Sequence, residues 1–228
     1  MEVKLVAHTP NPEEVCARAA WTSTQKGNPF EAPASRERLL KILRKVVAGG
    51  HHSVLEHASF TFIVRGISRA CSHQLVRHRI ASYTQQSQRY VRFSPDDLDF
   101  VTPPSIARSP LADEYARFMR GVAEFYSRLL EAGIPPEDAR YVLPNAATTT
   151  LTVTMNAREL WHFFGLRLCE RAQWEIREVA RRMLEEVKKV APALFEGAGP
   201  RCEQLGYCPE PPGMGCGRYP PKEEALGG

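Results

Sequence analysis

A long polar stretch limits what this chain can bury in a core. Residues 73–90 read HQLVRHRIASYTQQSQRY, with three arginines, two histidines, two serines and four glutamines but no lysine or glutamate. Because a polar group buried without a partner is strongly destabilising, the stretch is either a solvated helix end followed by a loop or the lining of a ligand site. Arginine forks suit phosphate, and glutamine and serine suit the edges of bases and sugars, so the composition favours a site.

Length and composition are those of an ordinary globular protein. The chain has 228 residues, 43% hydrophobic and 25% charged, so a single core is expected. No apolar run approaches the roughly 20 residues of a membrane helix, and Met1–Leu5 lacks the pattern of a signal peptide. We therefore expect a cytoplasmic protein with no membrane partner.

Charge and cysteine content narrow the choice of partners further. The net charge of +4 and pI near 8.8 suit an anionic small molecule, but without a clustered basic face they do not indicate nucleic acid. The six cysteines are expected to be reduced thiols rather than a disulfide framework.

Hydrophobic periodicity and capping signals predict an α+β chain with no repeat and no linker. Asn11, Ser35 and Asn156 are the expected helix N-caps, the last with Glu159 in a capping box. Strands are predicted over 2–8, 58–64 and 148–155, helices over 12–20, 36–48, 67–79, 111–130, 137–142, 157–165 and 170–191, and irregular chain over 93–110. The 111–130 helix should face the core with Tyr115, Phe118, Met119, Val122, Phe125, Tyr126 and Leu129.

A second polar segment, His51–His57, reads HHSVLEH and suggests a metal site at first sight. Zinc proteases, however, use the order His-Glu-x-x-His, which is absent from this segment. The segment is either a hydrogen-bonded turn that enters the next strand or a loop that faces a ligand. A zinc hydrolase built on His51, His52, Glu56 and His57 is an alternative that metal analysis would distinguish.

The tail, residues 197–228, is rich in glycine and proline and follows a domain of residues 1–196. It contains Cys202, Cys208 and Cys216 without the C-x-x-C spacing that is common in zinc sites. The sequence therefore predicts no metal site, and an arm that packs on a neighbour or is disordered.

Three separated stretches give the chain a resemblance to the flavin-dependent thymidylate synthases. RHRIASYTQQSQRY at 77–90 carries Arg-His-Arg followed by Ser87 in a Ser-x-Arg-Tyr ending. The others are GHHSVLEHASFTF at 50–62 and NARELWHFFGLRLCERAQWE at 156–175. Their occurrence in the family's order makes the combination specific. Gln85 departs from the pattern, since some members carry glutamate there.

The resemblance implies a single α+β domain with a central, mostly antiparallel sheet and flanking helices. It implies reductive methylation of dUMP to dTMP, with 5,10-methylenetetrahydrofolate as carbon donor and FAD, reduced by NADPH, as hydride donor. The expected assembly is a homotetramer with sites at subunit interfaces. Such shared sites fit the lack of a G-x-G-x-x-G turn.

The resemblance also assigns site residues. Those expected to hold dUMP are Gln74, Leu75, Val76, Arg77, Gln85, Gln86, Ser87, Gln88, Arg89, Arg140 and Arg167. Those expected to hold FAD are His51, Ser53, Arg77, His78, Arg79, Gln85, Asn156, Ala157, Arg158 and His162. The alternatives without ligand binding are a plain N-cap for Asn156 and a helix-surface histidine for His162.

The resemblance further implies that Arg167, the arginine of Gly-Leu-Arg, lies against the pyrimidine and activates it. Uracil C5 is a poor nucleophile unless negative charge builds on N3 and the carbonyl oxygens, which classical thymidylate synthases achieve by adding a cysteine to C6. Cys71 and Cys169 are read as small buried hydrophobes, and Ser87 has no adjacent base. A guanidinium cannot be the base, but it can stabilise a developing N3 anion.

The competing class of function is a non-catalytic nucleotide or single-strand RNA binder that uses Arg79, Arg89, Tyr83 and Tyr90. Its affinity would fall steeply with salt, and the purified protein would carry no flavin.

Overall fold

The chain folds around a four-stranded sheet in the computed structural model, which describes residues 1–94 and 98–227. The strands are β1 (Glu2–His8), β2 (Ser59–Ser68), β3 (Ala81–Gln85) and β4 (Thr148–Asn156), in the order β1-β2-β4-β3. The predicted α+β class with an antiparallel sheet is confirmed. Residues 95–97, inside the segment predicted to be irregular, and residue 228, at the end of the predicted tail, lie outside the described residues.

The helices are α1 (Pro12–Thr22), α2 (Arg36–Ala48), α3 (Arg69–Leu75), α4 (Pro104–Ala107), α5 (Ala112–Glu131), α6 (Pro136–Ala139), α7 (Ala157–Arg167), α8 (Trp174–Val190), α9 (Arg201–Leu205) and α10 (Lys222–Ala225), with 3₁₀ helices at His52–His57 and Arg140–Val142. Ser35 and Asn156 cap α2 and α7 through their side chains, as predicted. Asn11 precedes α1 but makes no side-chain cap bond, because its φ of 47° puts it in the left-handed region. No helix among the described residues combines the length and apolarity needed to cross a bilayer.

The central strand pair, β2 and β4, is antiparallel, and hydrogen bonds near its two ends fix the register. The N–H of Ala157 donates to the carbonyl of Ala58 (2.8 Å), and the N–H of Arg69 donates to the carbonyl of Ala147 (3.0 Å). Alternate side chains of these strands are buried, namely Phe60, Phe62, Val64, Leu151, Val153 and Met155. The period of two that predicted the first of these strands is therefore the period of burial in both, whereas the second was predicted from its β-branched residues.

The helix predicted over residues 67–79 is shorter than expected at both ends. Ile67 lies in β2, and α3 begins at Arg69 because the Ser68 hydroxyl accepts from the N–H of Cys71 (3.0 Å). Residues 77–79 lie beyond the end of α3. The last long helix also starts later than predicted, at Trp174, where the side chain of Gln173 caps it.

Strand β3 was missed by the sequence analysis. Its residues are polar and half exposed, so they carry no hydrophobic period. Directly after it, the N–H of Gln86 donates to the carbonyl of Thr150 in β4 (2.9 Å). Main-chain pairing at the edge of the sheet, rather than side-chain burial, defines this strand.

Two compact units make up the chain. One consists of Met1–Glu2, Val64–Arg77 and Tyr83–Thr152, and the other of Val3–Ile63, His78–Ser82 and the chain from Val153 onwards. Because the chain passes between the units several times, no linker separates two consecutive segments. The expected boundary between residues 196 and 197 stays a prediction.

In the first unit, α5 has a buried and an exposed apolar face. Met119 and Tyr126 are buried as predicted. Phe118 and Phe125, also expected to face the core, are instead 65% and 43% exposed, as is Leu111 at 59%. These three residues are seven positions apart, so they share one side of the helix, about 100° from the side of Met119 and Tyr126.

The second unit has an aromatic core, and part of the tail belongs to it. The ring of Phe195 packs edge-on against Phe60 (5.4 Å between centroids) and Phe164 (6.0 Å). Helix α9 contacts α7. The tail is thus not the wholly irregular arm that was predicted, because Cys202 and Cys208 are buried and α9 and α10 form within it.

Candidate active site

A row of three hydrogen-bonded side chains lies in the second unit. The Nε–H of Arg167 donates to Nε2 of His78 (3.0 Å), and Nδ1 of His78 lies 3.1 Å from Oε1 of Glu159. Helix α7 supplies Glu159 in its first turn and Arg167 as its last residue, while His78 comes from the chain between α3 and β3. His78 and Glu159 are only 5% and 6% exposed.

The hydrogen bonds define the protonation state of His78. Since the Arg167 Nε–H can only donate, Nε2 of His78 must be the acceptor, and the ring proton lies on Nδ1, where it can donate to Glu159. The pKa of His78 is lowered to about 4, mainly by burial and also by the nearby Arg167 and His162. Burial also raises the pKa of Glu159. A neutral imidazole therefore joins a carboxylate to a guanidinium.

His162 lies beside this row, one turn along α7 from Glu159. Its ring is 5.7 Å from that of His78, and its own side chain is exposed, as the helix-surface alternative predicted. Burial lowers the pKa of His162, with contributions from Arg201 and Arg167. Among the described residues, ligand atoms of His78, Glu159 and His162 lie within 4.8 Å of one another, a spacing that could hold a metal ion. Both ring nitrogens of His78 are already hydrogen-bonded, however, so a metal would have to break one of these bonds.

The predicted turn at residues 51–57 is a 3₁₀ helix anchored from two sides. Glu56 forms an ion pair with Arg158 of α7, and the ring of His52 lies 5.8 Å from that of Trp161. The four residues of the zinc-hydrolase alternative do not bring three ligand atoms within 4.8 Å in the described part of the chain. The segment thus docks against the start of α7 without forming a metal centre of that kind.

An open groove of about 1010 Å³ lies next to this 3₁₀ helix within the second unit. His51 and Ser53, both exposed, line it together with Trp21, Arg38 and Lys45. The guanidinium of Arg38 stacks over the indole of Trp21, 4.5 Å from its centroid. The groove therefore offers cations and an aromatic wall to an anionic ligand with planar rings.

The first unit brings together two of the predicted phosphate-binding arginines. Arg89 donates from Nε to Oε2 of Glu137 (3.2 Å), with Nη2 of Arg89 3.0 Å from the same oxygen. The Nε–H of Arg140 donates to the main-chain carbonyl of Glu137 (3.1 Å). Ser87 is close in the chain, since its hydroxyl accepts from the N–H of Arg89 (3.2 Å). Arg89 thus binds the exposed carboxylate of Glu137, whereas Arg140 binds the main-chain carbonyl of the same residue.

Gln85 is held in place by its neighbours in the first unit. Its amide Nε2 donates to the hydroxyls of Ser72 (3.0 Å) and Thr149 (3.1 Å). The Tyr83 hydroxyl donates to the carbonyl of Leu75 (2.9 Å), so the end of α3 is tied to β3. These bonds order the polar stretch without any ligand, which explains how so many polar groups tolerate partial burial.

The other predicted site residues differ in exposure. Arg77, Arg79, Arg158, Ser53 and His51 are exposed, Gln74, Val76, Gln86, Ser87, Gln88, Asn156 and Arg167 are half-buried, and Leu75 and Ala157 are buried. The Asn156 oxygen accepts from the N–H of Glu159 (2.9 Å), so its N-cap role is confirmed. Leu75 and Ala157 could contact a ligand only through their main chain.

Sequence reasoning missed Glu159 and Glu137 as members of the site. Glu159 was assigned to a capping box, in which its carboxylate would turn back to the helix start. The carboxylate instead faces His78, and only the main-chain N–H of Glu159 takes part in the cap. The available signal was weak, because Glu159 follows the charged Arg158 in the first turn of α7, and only its burial in the fold is unusual for a glutamate.

Comparison with known proteins gives consistent results. A family model described as thymidylate synthase complementing protein matches residues 4–193. Flavin-dependent thymidylate synthases from Geobacter sulfurreducens and Pyrococcus horikoshii are 52% and 51% identical, over 96% and 93% of this chain and 94% and 93% of theirs. A crystal structure of a UMP/dUMP methylase, PolB from Streptomyces cacaoi bound with 5-Br dUMP, superposes with a TM-score of 0.76 at 27% identity, covering 87% of this chain and 95% of PolB.

Proposed function

The chain belongs to the flavin-dependent thymidylate synthases, and we propose that it methylates dUMP to dTMP at a site built around Arg167, His78 and Glu159. The reaction takes its carbon from 5,10-methylenetetrahydrofolate, and NADPH reduces the FAD. The hydrogen-bonded row from Glu159 to Arg167 is the observation that carries this proposal, because it holds a permanent cation in one orientation. The dUMP methylase with a similar fold supports the choice of substrate.

Arg167 is proposed to lie against the pyrimidine and stabilise negative charge on N3 and the adjacent carbonyl oxygen. Such charge makes C5 a better nucleophile, so no thiol needs to add to C6. A donor that is already oriented costs no reorganisation when charge develops, which is why its effect on the barrier is large. The neutral His78 supports this role, since a protonated imidazole would repel the guanidinium and could not accept its Nε–H.

Arg89 and Arg140 are proposed to hold the phosphate of dUMP, with Ser87 and the main chain at Gln86 beside them. Their support is the shared partner, Glu137, because Arg89 binds its carboxylate and Arg140 binds its main-chain carbonyl, so both guanidiniums lie at the same residue. A phosphate dianion in that place would accept hydrogen bonds from both guanidiniums. Gln74, Val76, Arg77, Gln85 and Gln88 would line the rest of the nucleotide site.

The donor set of the second unit fits FAD, which supplies the hydride when it is bound. Arg79 and Arg158 are exposed cations suited to the pyrophosphate. Ser53 and His51 belong to the groove that also contains Trp21, and the planar ring systems of flavin and folate suit such a wall. Asn156 and His162, on the first two turns of α7, would complete the site from another subunit.

We propose a homotetramer in which subunits share these sites. The exposed apolar side of α5, made of Leu111, Phe118 and Phe125, supports self-association, because monomers rarely leave such a row in water. NADPH as the reductant, a cytoplasmic location and the lack of a nucleic-acid partner stay predictions.

A spectrum of the purified protein tests the proposal directly. We expect a flavin band whose shape changes when dUMP is added, and conversion of dUMP to dTMP that requires both methylenetetrahydrofolate and a reductant. Deoxyuridine, which lacks the phosphate, is the matched control and should bind weakly. A colourless protein that releases no dTMP after reconstitution with FAD would rule the proposal out.

A further inference from the structure

Four of the six cysteines line a single cavity in the second unit. The cavity has a volume of about 110 Å³, and its walls include Cys169, Cys202, Cys208 and Cys216. Three of these thiols come from the tail, whereas Cys169 comes from the turn between α7 and α8. All six cysteines of the chain are free thiols in this structure.

From this arrangement we propose that Cys169, Cys202, Cys208 and Cys216 bind one Zn²⁺ ion that fastens the tail to the end of α7. Four sulfur ligands and a tetrahedral arrangement are the characteristic donor set of structural zinc. On binding, four S–H bonds break, four Zn–S bonds form, and the protons pass to solvent, with no change of oxidation state.

The four thiols lie in two neighbouring groups, the first made of Cys169 and Cys202 and the second of Cys208 and Cys216. Cys202 begins the first turn of α9, which contacts α7, and Cys169 follows the end of α7. In the second group, Sγ of Cys208 lies 3.2 Å from the position that a Cβ on Gly215 would take, so Cys208 contacts the segment that carries Cys216.

The site is open in this structure, so zinc binding requires the sulfurs to move closer together. Sulfurs around tetrahedral zinc are about 3.8 Å apart, given Zn–S bonds of about 2.3 Å. Among the described residues, no three of the four sulfurs are within 4.8 Å of one another. Cys216 is exposed and lies between Gly215 and Gly217, in a segment where Gly213 and Gly217 have φ of +76° and +80°. Glycine on both sides lets the main chain bring Cys216 inwards.

The tail between α9 and α10 has little else to hold it. Apart from Cys208, its residues are exposed or half-exposed, and its regular structure is limited to a bridge between Cys208 and Pro221. Such a segment buries too little apolar surface to offset the entropy of ordering it, and a metal commonly supplies what is missing. The sequence predicted no metal because the tail alone offers three cysteines with wide spacing; the fold adds the fourth.

Charges around the cavity suit the proposed complex. Zinc with four thiolates carries two negative charges, and the cavity is lined by three arginines, Arg171, Arg201 and Arg218, and by two glutamates, Glu170 and Glu210. Arg171 and Arg218 already form ion pairs with Glu210 and Glu203. Arginines placed around a thiolate set stabilise it by providing hydrogen bonds and compensating charge.

The test is the metal content of the tag-free, full-length protein. After exposure to Zn²⁺ and gel filtration, we expect about one zinc per chain by elemental analysis, released when a mercurial reagent blocks the thiols. Cys202→Ser and Cys208→Ser should each retain less than about a tenth of it. Cys16→Ala and Cys71→Ala, which alter buried cysteines outside the cavity, are matched controls and should keep it.

Each other outcome contradicts the proposal. A protein without metal that is 2 or 4 Da lighter than its reduced mass would contain disulfides instead. Iron in place of zinc would indicate a different centre, and zinc retained equally by the Ser variants would be adventitious. If a variant fails to fold, the zinc content of the wild-type protein and the release of that zinc by the mercurial reagent still test the proposal. None of these measurements depends on flavin or turnover, so the result is independent of the proposed function.

Discussion

The guanidinium of Arg167 donates its Nε–H to the buried imidazole of His78, with 3.0 Å between the two nitrogens. A neutral ring thus orients the cation through one nitrogen. Glu159, on the far side of the ring, compensates the charge at a distance and fixes which ring nitrogen carries the proton.

Replacing Arg167 with alanine should remove most turnover while leaving the fold and FAD binding nearly unchanged. The loss of one preoriented donor is expected to lower kcat about 100- to 1,000-fold. Initial rates of dTMP formation and the flavin spectrum measure the two effects separately. Arg167→Lys keeps the positive charge but not the planar guanidinium with its several N–H donors, so it should recover only a small part of the rate. Near-normal methylation by Arg167→Ala would contradict the electrostatic role.

Two substitutions of Glu159 should show whether turnover depends on the orientation of the His78 ring and not only on the presence of His78. In Glu159→Gln, the amide oxygen can still accept from Nδ1–H, so we expect most of the activity to remain. In Glu159→Ala, Nε2 can become protonated and can no longer accept from Arg167, which should lower kcat by about 10- to 100-fold. The comparison is made at equal flavin occupancy, and equal rates for both variants would argue against this arrangement.

His78 should make the folded state less stable as the pH falls from 6.5 towards 4. Its pKa in the folded protein is lowered to about 4 from 6.5, mainly by burial, so in this window the unfolded chain binds a proton that the folded chain does not. Stability from this source is therefore complete above pH 6.5 and is lost as the pH falls through the folded-state pKa. Denaturant unfolding of wild type and His78→Asn at several pH values measures it, and the variant should show a flatter dependence.

Glu159 acts in the opposite direction, because its pKa is raised. It favours the folded state at low pH and loses that contribution as the pH rises through its folded-state pKa. The His78 effect is therefore taken from the difference between wild type and His78→Asn, in which Glu159 is retained. Parallel curves for the two proteins would mean that His78 does not titrate as described.

Arg89→Ala and Arg140→Ala should weaken dUMP binding more than they slow catalysis. Each removes charge-assisted hydrogen bonds to the phosphate, so KM for dUMP is expected to rise about 10- to 100-fold with a smaller change in kcat. Glu137→Gln is the matched control, since it removes the competing carboxylate and should leave KM unchanged or lower. Steady-state kinetics with varied dUMP distinguish these outcomes, and a KM that stays constant in both arginine variants would exclude this phosphate site.

Phe118→Glu and Phe125→Glu should shift the protein towards smaller assemblies. Both residues are exposed on one side of α5, and a buried carboxylate there would be strongly unfavourable in a subunit interface. Light scattering coupled to gel filtration gives the molar mass. Leu226→Glu, which changes another exposed apolar residue, 64% exposed in the tail, should not alter it. An unchanged tetramer in both phenylalanine variants would place the interface elsewhere.

The elements with a clear hydrophobic period could be predicted from the sequence, whereas those defined by main-chain pairing could not. β2 follows from alternation, β4 from its β-branched residues and the cap of α7 from Asn156, and all three are local signals. β3 has polar side chains and depends on its pairing in the sheet, which no local pattern records. On α5, the composition could not show that Phe118 and Phe125 lie on the exposed side.

The site residues divide in the same way, into those with a local sequence signal and those that depend on contacts far apart in the chain. Arg167, His78 and Arg89 were identified because they belong to the recognisable stretches 77–90 and 156–175, whereas Arg140 lies outside them. Glu159 and Glu137 were not identified, because their importance comes from partners that are 81 and 48 residues away in the chain. Tertiary structure alone joins such pairs.

One rigid helix, α7, carries Glu159, His162 and Arg167, and its start is fixed to β4 by the cap at Asn156. Deleting or inserting one residue inside it would rotate Arg167 by about 100° and move it about 1.5 Å along the axis relative to Glu159. The two side chains could then no longer reach the same imidazole. This segment therefore tolerates exchange of individual side chains but not a change in length, and homologous enzymes that retain the arrangement should contain no gaps there.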